Sequence, residues 1–251
     1  VTLDGRRLVH TGTLQNLTRM SRCFRVTALR QFSRANAGTR ASAVSRARAV
    51  VITEASSPVA FATAMRLAAG GHSVVVGSPR PDAGEQLAAR LRARGASVFA
   101  AYLDLADPLS VDGFLESVDY LIGDVDGLIS SAGVAERSWV GAQHLVSQIV
   151  SPMLDQGRGD VVLLSPELVG ASPAGADRML DAWVCGLDAE FVGTGVRASI
   201  VRSHGAVPPD DAGRLIAATI MSTDMHLRVV DVIASHRESA PIDGVIREMR
   251  R

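Results

Sequence analysis

The chain has 251 residues, 47% of them hydrophobic and 21% charged, with a formal net charge of zero. Those values fit a globular protein of one α/β domain with an appended segment, and no apolar run reaches the ~18–20 residues of a membrane-spanning helix. Cys23 and Cys185 lie far apart and form no CxxC pair, which argues against a disulfide scaffold or a structural zinc site and predicts a reducing compartment, the cytoplasm.

Arginine supplies all 26 basic residues, a bias we attribute to coding. Residues 1–48 hold ten arginines and one acid, Asp4, whereas residues 49–251 hold sixteen arginines and twenty-five acids. That break predicts a basic extension over 1–48 joined to an acidic domain over 49–251. The extension has no sustained helical or strand period. A disordered tail, an organelle transit segment and a start at or after Met20 all fit its Arg, Ser and Thr content. It lacks the aromatic interleaving of a nucleic-acid-binding segment, so no nucleic acid is expected as partner.

From residue 49 the chain alternates strand-like and helix-like segments. An apolar β-branched burst at 49–53 breaks into a polar turn that opens a helix at 57–69, and Gly70 and Gly71 stop it. The second strand is expected at 73–77, a helix at 81–94, the third strand at 97–101 and a helix at 109–121 behind Pro108. Strand four at 126–130, a long helix at 139–155 and strand five at 159–165 follow. A second long helix at 175–192, strand six at 196–201, a helix at 211–221 and a strand at 228–234 complete the pattern. Seven strands with intervening helices predict an α/β fold, a Rossmann-type doubly wound parallel sheet.

Five local patterns recur in a fixed order: TEASSPVA at 53–60, Leu103-Asp104-Leu105, Ser131-Ala132-Gly133, GRGDVVLLS at 157–165 behind Pro152, and the passage 187–205. Together they resemble the short-chain dehydrogenase/reductase family across essentially all of 49–251. The resemblance implies an NAD(P) site at Thr53, Glu54, Ser56, Arg80, Asp104, Leu105, Ser131, Ala132 and Gly133, with Arg80 where the family reads an NADP 2′-phosphate. It also shows departures. The family's three turn glycines fall on Glu54, Pro58 and Ala60, and its Asn, Ser, Tyr and Lys fall on Trp139, Pro166, Pro173 and Asp177. Glu54 sets a carboxylate where phosphates would sit, Pro58 lacks an N–H, and Ala60 adds a methyl at a close approach. Pro173 cannot titrate, and Asp177 would raise the pKa of a neighbouring phenol. Only residues 202–210 fill the place of the family's substrate lid.

Other groups offer little. His144 lies on the long helix, Cys185 reads as a packed thiol, and His226 and His236 lack metal-ligand spacing. Ser165, Glu167 and His204 form no recognisable triad spacing. On these grounds the chain is expected to be a pseudoenzyme with no cofactor or only weak NAD(P) binding, serving as a binding or assembly subunit. The stripe Met179, Trp183, Leu187 and Phe191 is expected to pack against a second copy or an active paralogue, as the family's paired long helices do. The alternative is an atypical NAD(P)-dependent oxidoreductase with a displaced active site. A third reading is a fold reused for another small ligand.

Overall fold

The computed structural model describes residues 46–131, 135–169, 176–222 and 225–233, with backbone alone at 167, 169, 176, 177, 204 and 233. The chain separates into two units, Val1–Arg46 and Ala47–Arg251; the architecture below is that of the second. In chain order it runs β1 (Ala49–Ile52), α1 (Pro58–Ala69), β2 (Ser73–Ser78), α2 (Pro81–Arg92), β3 (Val98–Tyr102), α3 (Pro108–Ile122) and β4 (Gly127–Ser131). It continues with α4 (Glu136–Gln156), β5 (Gly159–Leu164), a 3₁₀ turn (Pro166–Val169), α5 (Ala176–Phe191), β6 (Val196–His204), α6 (Pro209–Met221) and β7 (Val229–Ile233).

The strands form one parallel sheet in the order β3-β2-β1-β4-β5-β6-β7. Consecutive residues such as Val50, Val51 and Ile52, or Val74, Val75 and Val76, are buried together. Successive side chains on a strand point to opposite faces, so both faces of this sheet are covered. One alternate set (Val50, Ile52, Val74, Val76, Ile129, Val162) shares a core with Ala64 and Leu67 of α1, Leu87 of α2 and Ile216 of α6.

Residues at the amino ends of the central strands are bound by an ionic cluster. Arg48 donates to Asp160 Oδ2 and to the carbonyls of Asp126 and Ile220, each at 2.5 Å, and Arg197 Nε donates to Asp160 Oδ1 at 2.6 Å. The opposite, carboxyl edge is left for function. There the chain order reverses between β1 and β4, which places a crevice at the switch point of the winding.

The sequence-predicted elements differ from these mainly at their ends. Helix α4 begins at Glu136 rather than 139, and β6 runs to His204 rather than 201 because residues 200–204 pair with β7. The link from β6 to α6 is thereby cut to residues 205–208, shorter still than the expected gap.

Candidate cofactor crevice and active site

The turn after β1 carries the crevice. Buried Thr53 donates its amide to the Ile129 carbonyl and accepts the Ser131 N–H on Oγ1, both at 3.1 Å. One side chain thus joins the ends of β1 and β4. Ala55 N–H reaches the Gly77 carbonyl at 2.9 Å and ties the turn to β2.

The three residues at the glycine positions are accommodated. Glu54 folds back on its own turn, with Oε1 accepting the Ser56 N–H at 3.2 Å and the Ser56 hydroxyl as well. Its side chain is not part of the wall of the adjoining cavity. Pro58 occupies the first position of α1, where an N–H would have no helical partner and a fixed φ favours the helix. Ser57 caps that helix by accepting the Val59 N–H at 3.2 Å. Ala60 is buried in the core that α1 shares with the sheet. The strand, turn and helix therefore keep their arrangement without the glycines.

The remaining predicted binding residues gather around the same edge. Exposed Arg80 is the N-cap residue of α2, and its amide donates to the hydroxyl of fully buried Ser78 at 3.0 Å. Asp104 is a turn residue: its amide donates to Ser110 Oγ at 2.7 Å and its Oδ1 accepts the Ala106 N–H at 2.9 Å. Leu105 lies directly under α4, where a Cβ on Gly141 would come within 1.8 Å of the Leu105 carbonyl oxygen. Ser131 ends β4, and Ala132 and Gly133 lie outside the described residues.

A cavity of about 540 Å³ opens beside this turn, walled by Ser56 and Phe61 on one side and by Arg80, Gln86 and Arg90 of α2 on the other. Arg90 holds its guanidinium 4.2 Å above the centre of the Phe61 ring. Among the described residues neither Arg80 nor Arg90 makes an ion pair with a carboxylate. Phe61, Arg90 and Gly141 were not singled out from the sequence. An isolated glycine inside a helical pattern is a signal for Gly141; no spacing along the chain brings a residue of α1 over one of α2.

The four positions of the family's proton chemistry fall as follows. Trp139 stands in the first turn of α4, half-buried, with its ring 5.1 Å from that of Trp183 on α5. Pro166 opens the 3₁₀ turn after β5. Pro173 and the Asp177 side chain lie outside the described residues. Ser165 is buried and its Oγ accepts the Ser203 N–H at 3.3 Å, so it faces β6. His144 pairs with Asp112 at 2.9 Å on the surface, and His226 meets the Ala198 carbonyl at 2.7 Å. His236 lies outside the described residues, as does Cys23. Cys185 is exposed rather than packed, with Arg228 Nη2 donating to its sulfur at 3.0 Å. Its position on α5 turns it outward, between the buried residues Val184 and Leu187. Within the expected partner stripe, Leu187 and Phe191 are buried in this chain's own core, and Met179 is exposed. Among the described residues no cluster of His, Cys, Asp or Glu could hold a metal, and no helix is long and apolar enough to cross a membrane.

Comparison with known proteins bears on this edge. The sequence model described as short chain dehydrogenase matches residues 48–169, from the residue before β1 to the end of the 3₁₀ turn. A 1-deoxy-11-beta-hydroxypentalenate dehydrogenase of Streptomyces exfoliatus is 33% identical over 182 residues, 61% of this chain and 66% of that protein. The chain thus spans just under two thirds of that relative. An uncharacterized oxidoreductase of Streptomyces coelicolor is 30% identical over 190 residues, 64% of this chain and 74% of its own length. Among solved structures, an NADPH-bound short chain oxidoreductase of Pseudomonas aeruginosa with an atypical catalytic center superposes with a TM-score of 0.64 at 18% identity, covering 77% of this chain and 98% of that one.

These findings correct the expectation of a pseudoenzyme acting as a binding or assembly subunit. The relatives named for what they do are dehydrogenases and oxidoreductases, and the first half of the fold, where the expected loss began, is the part the family model matches. With a seven-stranded sheet reversing at β1 and β4, a capped turn at the reversal and relatives of this kind, the chain belongs to the short-chain dehydrogenase family.

Proposed function

We propose that this chain is an NAD(P)-dependent short-chain oxidoreductase whose acid–base groups stand away from the family's usual positions. The observation that carries the reading is the crevice itself: the turn, the α1 N-terminus and two arginines without a carboxylate partner among the described residues surround an open cavity whose wall does not include Glu54. These residues fit a dinucleotide phosphate better than the sequence alone implied. The pyrophosphate would lie at the start of α1, since helix N-termini favour anions, and would take the Ser56 amide and hydroxyl in exchange for the Glu54 carboxylate that they now bind. Asp104 and Leu105 would flank the adenine, and Arg80 would face the ribose at that end. When bound, the dinucleotide supplies hydride-transfer chemistry toward a carbonyl or an alcohol carbon.

The chain must then handle the proton. Trp139 and Pro166 carry no group that exchanges one at neutral pH, so the task passes elsewhere on the carboxyl edge. Glu167, in the turn after β5, and His204, the last residue of β6, are the titratable residues that the backbone places at the ends of those adjacent strands. They are the first to substitute. The solved Pseudomonas structure of the same fold is itself described as containing an atypical catalytic center. The exposed Val140 and Met179, next to the Trp139 and Trp183 pair on α4 and α5, support pairing with a second copy or a paralogue.

The test is a fluorescence titration of NADH and NADPH into the full chain, followed by turnover of a panel of ketones and secondary alcohols. Micromolar binding of either cofactor with turnover, lost in Glu167→Gln or His204→Asn, is the expected result. Absence of binding at millimolar cofactor would overturn the reading.

A further inference from the structure

Helices α1 and α2 face each other across a groove lined by two matched pairs. Arg90 holds its guanidinium 4.2 Å over the Phe61 ring, and Arg94 donates to the Met65 sulfur at 3.7 Å. Phe61 and Met65 are one turn apart on α1, about 6 Å, and Arg90 and Arg94 follow the same step at the last turn of α2 and just past its end. Two exposed cations thus stand in line over an apolar floor. Neither has a carboxylate partner among the described residues, although Arg92 between them pairs with Glu85 and acids outnumber arginines in the domain. The apolar seats hold the two charges in place and leave most of their N–H groups free for a further partner.

The charge that answers them stands on α3. That helix carries Asp112, Glu116 and Asp119 on its solvent side and no basic residue. Asp112 meets His144, whereas Glu116 and Asp119 have no ion pair among the described residues. Leu109 and Tyr120, 80% and 89% exposed, bracket the acids. From 109 to 120 this face runs about 16 Å, close to the length of α2 at about 18 Å. We propose that α3 of one copy docks in the α1–α2 groove of a second copy, with Glu116 and Asp119 against Arg90 and Arg94 and Tyr120 on the apolar floor. The two surfaces lie on opposite faces of the sheet: Leu87 of α2 shares a core with Val76, and Phe114 of α3 lies against Gly77, the next residue. The contact is therefore head-to-tail, distinct from any pairing through α4 and α5, and repeats from copy to copy. Exposed ion pairs are individually weak. The preset guanidiniums and the aromatic anchor set the affinity, while the charges set the register and exclude a like-charged face.

Sedimentation velocity of the full chain over a range of concentrations tests this without cofactor or turnover. The average mass is expected to rise with concentration in low salt and to fall back at about 0.5 M salt, where screening is strong. Arg90→Glu with Arg94→Glu, and separately Glu116→Arg with Asp119→Arg, should each weaken association at least about tenfold, since each sets like charges face to face. Tyr120→Ala should weaken it at least about threefold through loss of the anchor. Mixing the two charge-reversed variants should restore co-sedimentation, because one keeps an intact α3 face and the other an intact groove, and that restoration excludes misfolding as the cause. A parent mass that does not change with concentration would overturn the proposal, as would association that survives both reversals or a mixture that fails to associate.

Discussion

Gly141 connects the fold to the crevice through a contact that one methyl group would break. It lies inside α4, yet a Cβ there would sit 1.8 Å from the Leu105 carbonyl oxygen, 2.8 Å from its carbon and 3.2 Å from its Cα. All three are backbone atoms, and ordinary contact begins near ~3.5 Å. The loop that holds Asp104 and Leu105 must therefore retreat, or α4 must shift. In Gly141→Ala, helix propensity favours alanine by roughly 1 kcal/mol, while overpacking against unyielding atoms costs about 1–3 kcal/mol or more. A contact of 1.8 Å with backbone puts the cost at the top of that range or above it, so a net loss of about 2 kcal/mol or more follows, which lowers the melting temperature of a chain this size by at least roughly 4–8 °C. The matched control is Gly186→Ala. Gly186 lies inside α5 with nothing within 4 Å of the added carbon, so the propensity gain acts alone and stability should rise by about 0.5–1 kcal/mol. Urea denaturation of the two variants reads the difference in sign directly, and cofactor titration of Gly141→Ala should show weaker binding because Leu105 has moved. If Gly141→Ala were as stable as Gly186→Ala, the close approach of α4 to this loop would be wrong, and with it the placing of Leu105.

Three further outcomes follow from contacts at the two edges of the sheet. Asp160→Asn leaves Arg48 and Arg197 facing a neutral group in a largely buried cluster and should cost about 3 kcal/mol in denaturant unfolding; a loss below about 1 kcal/mol would show that solvent reaches the cluster. His72 accepts the Arg48 N–H on Nδ1 at 3.0 Å, and burial, aided by the Arg48 charge, lowers its pKa. Below about pH 6.5 the unfolded chain takes up a proton that the folded chain resists, so stability should fall as pH drops through that value, and His72→Gln should flatten the slope in melting curves. Glu54→Gln keeps an acceptor for the Ser56 amide while removing the charge beside the turn, and should tighten NADPH binding by about three- to tenfold in a fluorescence titration; an unchanged affinity would place the carboxylate beyond reach of the phosphates.

The strands and helices were legible because their periods were unmistakable. Buried runs such as Val74 to Val76 and Val161 to Leu163 have no other place than the interior of a two-sided sheet. The ends were less legible because they depend on partners distant in the chain. Residues 202–204 of β6 stay extended through pairing with residues 231–233 of β7, a contact that no local pattern announces. The same limit explains the partner stripe on α5, where periodicity reveals an apolar face but not whether the cover comes from the same chain. Leu187 and Phe191 are covered from within, and Met179 is not.

The phosphate-binding turn is harder to judge from sequence for a related reason. Counting the glycines lost at 54, 58 and 60 treats each position as a fixed requirement, whereas the requirement is on the backbone and on the free space beside it. Proline at the first helical position satisfies it, and a small alanine satisfies it in a core that has room. A glutamate satisfies it only if its carboxylate finds donors elsewhere, and Ser56, two residues on, provides them. That local bond could be anticipated from the spacing of an acceptor and a serine in a tight turn. The Phe61 and Arg90 contact could not, since it joins two helices whose facing sides are set only when β1 and β2 pair. Substitutions at a phosphate-binding turn are thus best judged by where each new side chain sends its polar atoms: a charge directed into the turn competes with a ligand far less than one directed out of it.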